Sequence, residues 1–276
     1  MSEDKSQQLP EMSLWEHVDA LRSVLIKMAV TVLVAAIGFF IVMPTLFDHV
    51  ILAPCKGDFI LYQVFESITK SISFLPDFST QGFNVELINI QLASQFFTHM
   101  STSFWFAVVF TFPILLYFLW TFVRPALYQN EKKGIKRAFF IGNLMFFLGV
   151  AVGYFVVFPI TLRFLSQYHV SELIPNQISL DSYMHTFLLL IFIMGIVFEL
   201  PMLAWLLGKL GVVHREFFKR YRRHAIVVLL ILAALITPTG DPFTLMVVFL
   251  PIYLLWEASS WFVKPAPVDD DAEAAE

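Results

Sequence analysis

The stretch Tyr183–Leu207, YMHTFLLLIFIMGIVFELPMLAWLL, decides the fold. It holds one charge, Glu199, and one proline, Pro201. About 20 mostly apolar residues cross ~30 Å of hydrocarbon as a helix, so this run reads as a membrane span. A surface helix of that length in a soluble domain would carry a charged face, and none is present here.

Working outward, the same test finds Val24–Phe47, interrupted only by Lys27, then about Phe97–Val123 and Ala138–Phe158. Two shorter runs follow Leu207. Ala225–Ile236 rises only ~18 Å as a helix, and a run from Phe243 is clean to Trp256, reaching Phe262 if it continues past Glu257. Thr237-Pro238-Thr239-Gly240-Asp241-Pro242 between them is a helix-stopping turn. A hairpin that short either spans a thinned bilayer or dips into it. Spanning is expected, because mismatch costs only fractions of a kcal/mol per Å. The expected fold is therefore all-α with six transmembrane helices, the fifth and sixth short. Pro113, Pro201 and Pro251 are expected to kink the second, fourth and sixth helices into a concave arrangement. Residues 1–264 form one transmembrane domain in this reading, and 265–276 an acidic, disordered cytoplasmic tail.

Composition agrees with the spans. The chain has 276 residues, 58% of them hydrophobic and 14% charged, where a soluble domain carries about a quarter charged residues. That excludes a cytosolic enzyme or a disordered chain, and a net charge of −4 gives no basic field for nucleic acid. The single cysteine, Cys55, makes neither an intrachain disulfide nor a thiolate metal site.

Basic residues set the orientation. Eleven of the 18 lie in two connections: Arg124, Lys132, Lys133, Lys136 and Arg137 after the second span, and Lys209, Arg215, Lys219, Arg220, Arg222 and Arg223 after the fourth. The other connections hold only Lys56, Lys70 and Arg163. The positive-inside rule places those two basic loops and both termini in the cytoplasm, as in a multi-pass protein of the cytoplasmic membrane. The N-terminus lacks the features of a secretory signal. Ser13 followed by Glu16 reads as a capping box that opens a helix along the cytoplasmic face.

Few groups are left to carry chemistry. His17, His49, His99, His169, His185, His214 and His224 form no HExxH pair and have no cysteine partners, so no metal site is expected. No GxSxG, phosphate loop or paired Asp motif is present, and neither an enzyme nor a cofactor is expected. Glu199 stands out, ~12 Å from the cytoplasmic end of its span. An ionisable group at that depth costs several kcal/mol unless it is paired, protonated or wet, which marks it as functional. Pro201 frees a backbone carbonyl nearby. Asp241 is placed to cap the sixth helix. Glu131, followed by Lys132 and Lys133, has a local ion pair as its plain alternative.

Several stretches together resemble the TatC family, the signal-recognising subunit of the twin-arginine protein translocase. They are His17–Arg22, Ala53-Pro54, Phe122-Val123-Arg124-Pro125-Ala126-Leu127-Tyr128 with Glu131, Gly153–Pro159 (GYFVVFP), Phe198-Glu199-Leu200-Pro201, Thr237-Pro238 and Asp241. The resemblance implies recognition of twin-arginine signal peptides and export of folded proteins driven by the proton-motive force. The implied partners are TatA- and TatB-type single-span proteins, the signal peptides of folded precursors and membrane lipid, in a multi-copy complex. Carried over residue by residue, Glu131 binds a signal-peptide guanidinium, with Phe122, Leu127 and Tyr128 shaping that surface and Arg22 in the amino-terminal motif. A carboxylate and a guanidinium fork make two parallel charge-assisted bonds. Glu199 with Pro201 corresponds to an intramembrane polar or partner contact, and Pro54 and Asp241 to structural positions on the outer face. One departure matters: the family's amino-terminal acidic residue falls at Ala20. Glu16, one turn earlier on the same face, or Asp19 beside it, is the expected replacement. The alternative from the residues alone is a proton-coupled small-solute transporter using Glu199.

Overall fold

A computed structural model of the chain describes residues 14–69, 82–123, 132–171, 173–174, 176–209, 211–263 and 265. The first helix, α1 (Leu14–Leu46), runs unbroken from the amino-terminal motif through the first span. The expected surface helix is therefore the start of α1 itself, since within α1 no proline comes before Pro44. Ser13 lies outside the described residues. A π-helical turn at Phe47–Ile51 and a 3₁₀ turn at Ala53–Cys55 follow, then α2 (Ile60–Thr69). The second span is α3 (Ser94–Val123).

The third span is longer than its apolar core suggested. Helix α4 (Lys132–Val152) continues through a π turn, Gly153–Val157, into α5 (Phe158–Gln167). The π turn lies directly ahead of Pro159, where the regular bonding of a helix has to change. Arg163, expected in the loop, lies on α5 and is buried, its guanidinium 5.2 Å from the Tyr62 ring centre and 5.0 Å from that of Phe83. The fourth span is divided into α6 (Leu180–Val197) and α7 (Leu200–Lys209). Then come α8 (Arg215–Arg220), α9 (Arg222–Ile236) and α10 (Pro242–Phe262). Among the described residues five helical runs are long and apolar enough to cross a bilayer: Val18–Cys55, Ser94–Phe122, Phe139–Gln167, Leu180–Lys209 and Pro242–Phe262. Helix α9, with 15 residues, is shorter than these.

Helix α10, expected as a short sixth span, is not short. It continues for 21 residues because Glu257 does not interrupt it. The Glu257 carboxylate meets Arg222 at 2.7 Å and accepts from the Tyr253 hydroxyl at 3.0 Å, so its charge is answered within the protein. The same ion pair ties the start of α9 to the end of α10. A further feature absent from the sequence reading is a parallel strand pair, β1 (Leu87–Ile88) with β2 (Ile178–Ser179).

Packing follows from side-chain size. Gly149 on α4 faces Gly195 on α6, and Gly153 in the π turn faces Ile191 and Met194. A Cβ at Gly149 would lie 2.7 Å from Phe198 Cβ, and one at Gly195 would lie 2.8 Å from Phe146 Cε2. Only glycine lets the two backbones approach this closely, the usual device where lipid supplies no hydrophobic drive between helices. Phe158, Phe187, Leu190, Met194, Val248 and Ile252 fill the core around them. Meanwhile Ile41 is 76% exposed and Leu235 79% exposed, as suits side chains that face lipid.

Helix α1 is held to α3 by Phe39 against Phe110, with ring centres 5.2 Å apart, and by His99. Pro44 has no N–H, so the Phe40 carbonyl four residues earlier loses its helical partner. His99 on α3 answers it: Nε2 lies 2.8 Å from Phe40 O, and the imidazole stacks on the Phe40 ring at 4.0 Å. Because a carbonyl only accepts, Nε2 carries the hydrogen.

Tyrosine hydroxyls fasten the turns after α1. Tyr154 donates to Val50 O at 2.8 Å, Tyr183 donates to Ile51 O, and Tyr62 reaches Pro54 O at 3.0 Å and Pro159 O at 3.2 Å. Burial holds the Tyr62 phenol well above its ordinary pKa, so it remains a donor. Pro54 is itself buried beneath this arrangement.

Candidate functional site

The break between α6 and α7 places Glu199. Pro201 sits at the second position of α7, where its ring excludes a regular turn and no N–H reaches Val197 O. The backbone adapts: Phe198 N bonds to Met194 O at 3.1 Å, and Glu199 N takes the nearer Ile196 O at 3.0 Å. Helical bonding resumes with Leu203 N to Glu199 O at 2.9 Å. The Glu199 side chain is thereby turned toward α4.

Gly142 on α4 makes room for it. A Cβ there would lie 3.1 Å from both Glu199 Oε2 and Met202 Cε. The residue is 7% exposed, and neither carboxyl oxygen has a hydrogen-bond partner among the described residues. An unanswered buried carboxyl is costly, by ~1–3 kcal/mol even when neutral and more when ionised. A buried polar group left unsatisfied in a native fold marks a place of strain, of function, or of a bound water or ion. Asn143, one residue along from Gly142, donates to Phe139 O at 2.8 Å, and its Oδ1 is likewise buried without a partner. The sequence reading passed over Asn143, although a lone amide within the third apolar run was a usable signal. It also passed over Pro44, hidden in a run whose hydropathy continues to Phe47.

Asp19 and Arg22 are exposed near the start of α1, and Phe122 is half-buried in the last turn of α3. Leu127, Tyr128 and Glu131 lie outside the described residues, as does the side chain of Glu16. Asp241 caps α10, its Oδ1 accepting from Thr244 N at 2.7 Å and its Oδ2 from the Thr239 hydroxyl at 2.6 Å. Partial burial alone would raise the Asp241 pKa, but the bonds from Thr239 and Thr244 outweigh it and hold the carboxyl below its usual range. Among the described residues no cluster of His, Cys, Asp and Glu could hold a metal.

Known proteins share this sequence and this shape. Residues 16–251 match the family described as Sec-independent protein translocase protein (TatC). A TatC protein of Blattabacterium sp. subsp. Periplaneta americana is 33% identical over 250 residues, covering 90% of this chain and 94% of its own length. One from Helicobacter pylori J99 is 36% identical over 198 residues, covering 71% and 79%. A crystal structure of a twin-arginine translocase receptor, TatC, superposes with a TM-score of 0.69 at 29% identity, over 90% of this chain and 97% of the other. Likeness in sequence and in fold thus runs through α1 to α10, and the chain belongs to the TatC family of multi-pass membrane subunits of the twin-arginine translocase.

Proposed function

We propose that this chain is the receptor subunit that recognises twin-arginine signal peptides at the cytoplasmic face and passes their folded cargo on to a multi-copy translocase driven by the proton-motive force. The fold shared with the crystallised receptor over nearly the whole chain carries this reading. Six spans with both termini cytoplasmic, α9 being the fifth, follow from the positive-inside distribution of Lys and Arg. Residues 1–264 then form one concave transmembrane domain and 265–276 an acidic tail. Signal recognition falls to Glu131, framed by Phe122, Leu127 and Tyr128. Glu16 or Asp19, beside Arg22, supplies the second carboxylate in place of Ala20. Exposure of Asp19 and Arg22 on α1 supports the last assignment. Glu199 and Pro201 form the contact for a TatA- or TatB-type single-span partner, and the unanswered carboxyl is the reason. Pro54 and Asp241 hold the outer turns in shape.

The test is export of a twin-arginine reporter in bacteria lacking their own TatC, with photo-crosslinking to a signal peptide read in parallel. The chain should restore export, and Glu131→Ala should cut crosslinking sharply while the protein stays in the membrane. Undiminished crosslinking in Glu131→Ala would remove that residue from the site. Loss in a Glu16→Gln, Asp19→Asn double variant, but in only one of the singles, would say which replaces Ala20.

A further inference from the structure

Away from Glu199, α3 and α6 part near the end of the bundle where both begin, leaving a cleft of about 280 Å³. Ser101, Asp181 and His185 line its mouth, and Trp105 and Leu188 its deeper wall. Trp105 and Leu188 also line a second cavity of about 150 Å³, walled otherwise by side chains such as Phe106, Phe110 and Ile191. The two cavities adjoin at these shared side chains, the first partly polar and the second apolar, and together they are called the groove below. Trp105 braces the groove against Phe192, their ring centres 4.6 Å apart. Thr102 and Met184 in its walls are buried, so the groove is a true recess in the bundle.

Its dimensions match one leaflet. Asp181 to Phe192 spans ~16 Å of helix, close to half the ~30 Å hydrocarbon thickness. The mouth therefore lies at headgroup level and the apolar part beside acyl chains. Charge at the mouth is of one kind. Asp181 Oδ1 accepts from the Ser94 hydroxyl, while Oδ2, the Ser101 hydroxyl and the His185 ring have no hydrogen-bond partner among the described residues. No Lys or Arg lines either cavity. A carboxylate at a membrane edge with no cation beside it attracts an ammonium group and repels a headgroup bearing only negative charge.

We propose that this groove binds a phospholipid with a primary-amine headgroup. The ammonium meets Asp181, the phosphate meets Ser101 and His185, and one acyl chain lies along Trp105, Leu188 and Ile191. The lipid comes from the outer leaflet in the orientation proposed above; only the choice of leaflet rests on that reading.

The full chain would be reconstituted in phosphatidylcholine nanodiscs doped equally with phosphatidylethanolamine and phosphatidylglycerol, then released and weighed by native mass spectrometry. Retention of phosphatidylethanolamine should exceed that of phosphatidylglycerol about ten-fold, the scale of one hydrogen bond to a charged group. Asp181→Asn should erase the preference, and Leu188→Trp, which fills the groove, should abolish retention. If Leu188→Trp melts early, Ser101→Phe at the exposed rim serves instead. Equal retention of the two lipids, or an Asp181→Asn chain that keeps the preference, overturns the proposal. So does a groove-filling variant that still holds lipid but sheds a co-purified single-span protein, which would make the occupant a helix. Lipid retention is read without signal peptide, so a negative result leaves the receptor reading standing.

Discussion

Pro44 inside α1 and Pro201 at the head of α7 each remove a backbone hydrogen bond from a membrane helix, and the chain treats the two losses in opposite ways. At Pro44 the freed Phe40 carbonyl receives a bond from His99 at 2.8 Å, and the imidazole stacks on the neighbouring ring. At Pro201 the bent backbone carries a carboxyl into a buried place and leaves both its oxygens without a partner among the described residues. Backbone polarity inside a membrane is normally satisfied within the protein, so the first arrangement is what stability alone would produce. The second costs stability and is retained beside a glycine that makes space for it. One proline has been absorbed into the structure; the other leaves a buried polar group unanswered among the described residues.

Three substitutions would break or sharpen this contrast, each read by thermal unfolding in detergent. The largest effect is expected from His99→Ala, which strands the Phe40 carbonyl and should cost about 1–3 kcal/mol. A melting temperature equal to wild type would show that the carbonyl finds another donor and that Pro44 needs no partner on α3. Asp241→Ala comes next, since it removes a satisfied carboxylate to compare with the unsatisfied one, at about 1 kcal/mol for a lost N-cap. The sign with pH follows from its lowered pKa. The contribution is full above the unfolded value near 4 and disappears as pH falls through the folded value. Wild type should therefore lose stability relative to Asp241→Ala in that acid window, and a constant difference across it would dissociate the cap from the carboxylate's charge. The smallest effect on stability is expected from Glu199→Leu, because replacing an unanswered carboxyl with an apolar group is neutral or stabilising. Export of a twin-arginine reporter should nevertheless fall. A loss of stability matching His99→Ala would make Glu199 a structural residue and erase the contrast.

Much of this was legible from residue types alone, where the signal was local. Four of the long spans announce themselves because 20 apolar residues in a row have few other uses. Glu199 was visible for the same reason, as a charge against a featureless background. The end of α10 was misjudged because Glu257 reads as a stop until Arg222, 35 residues away, is known to face it. The turns after α1 were illegible for a related reason. Their order comes from Tyr154 and Tyr183 bonding to carbonyls 104 and 132 residues away, and a tyrosine's sequence neighbours do not say which carbonyl it will meet. That Glu199 lacks a partner is likewise a property of the packed bundle, set by Gly142 on another helix.

Those tyrosine bonds give the chain a stopwatch of its own. Cys55, its one thiol, is 4% exposed in the 3₁₀ turn that follows Ile51. A small alkylating reagent reaches that sulfur only when the turn lifts away from α5 and α6. The labelling rate of the unmodified chain therefore counts how often the turn lets go, as hydrogen exchange counts local openings elsewhere. Idle and cargo-loaded translocases could then be compared on that clock without adding a probe to either.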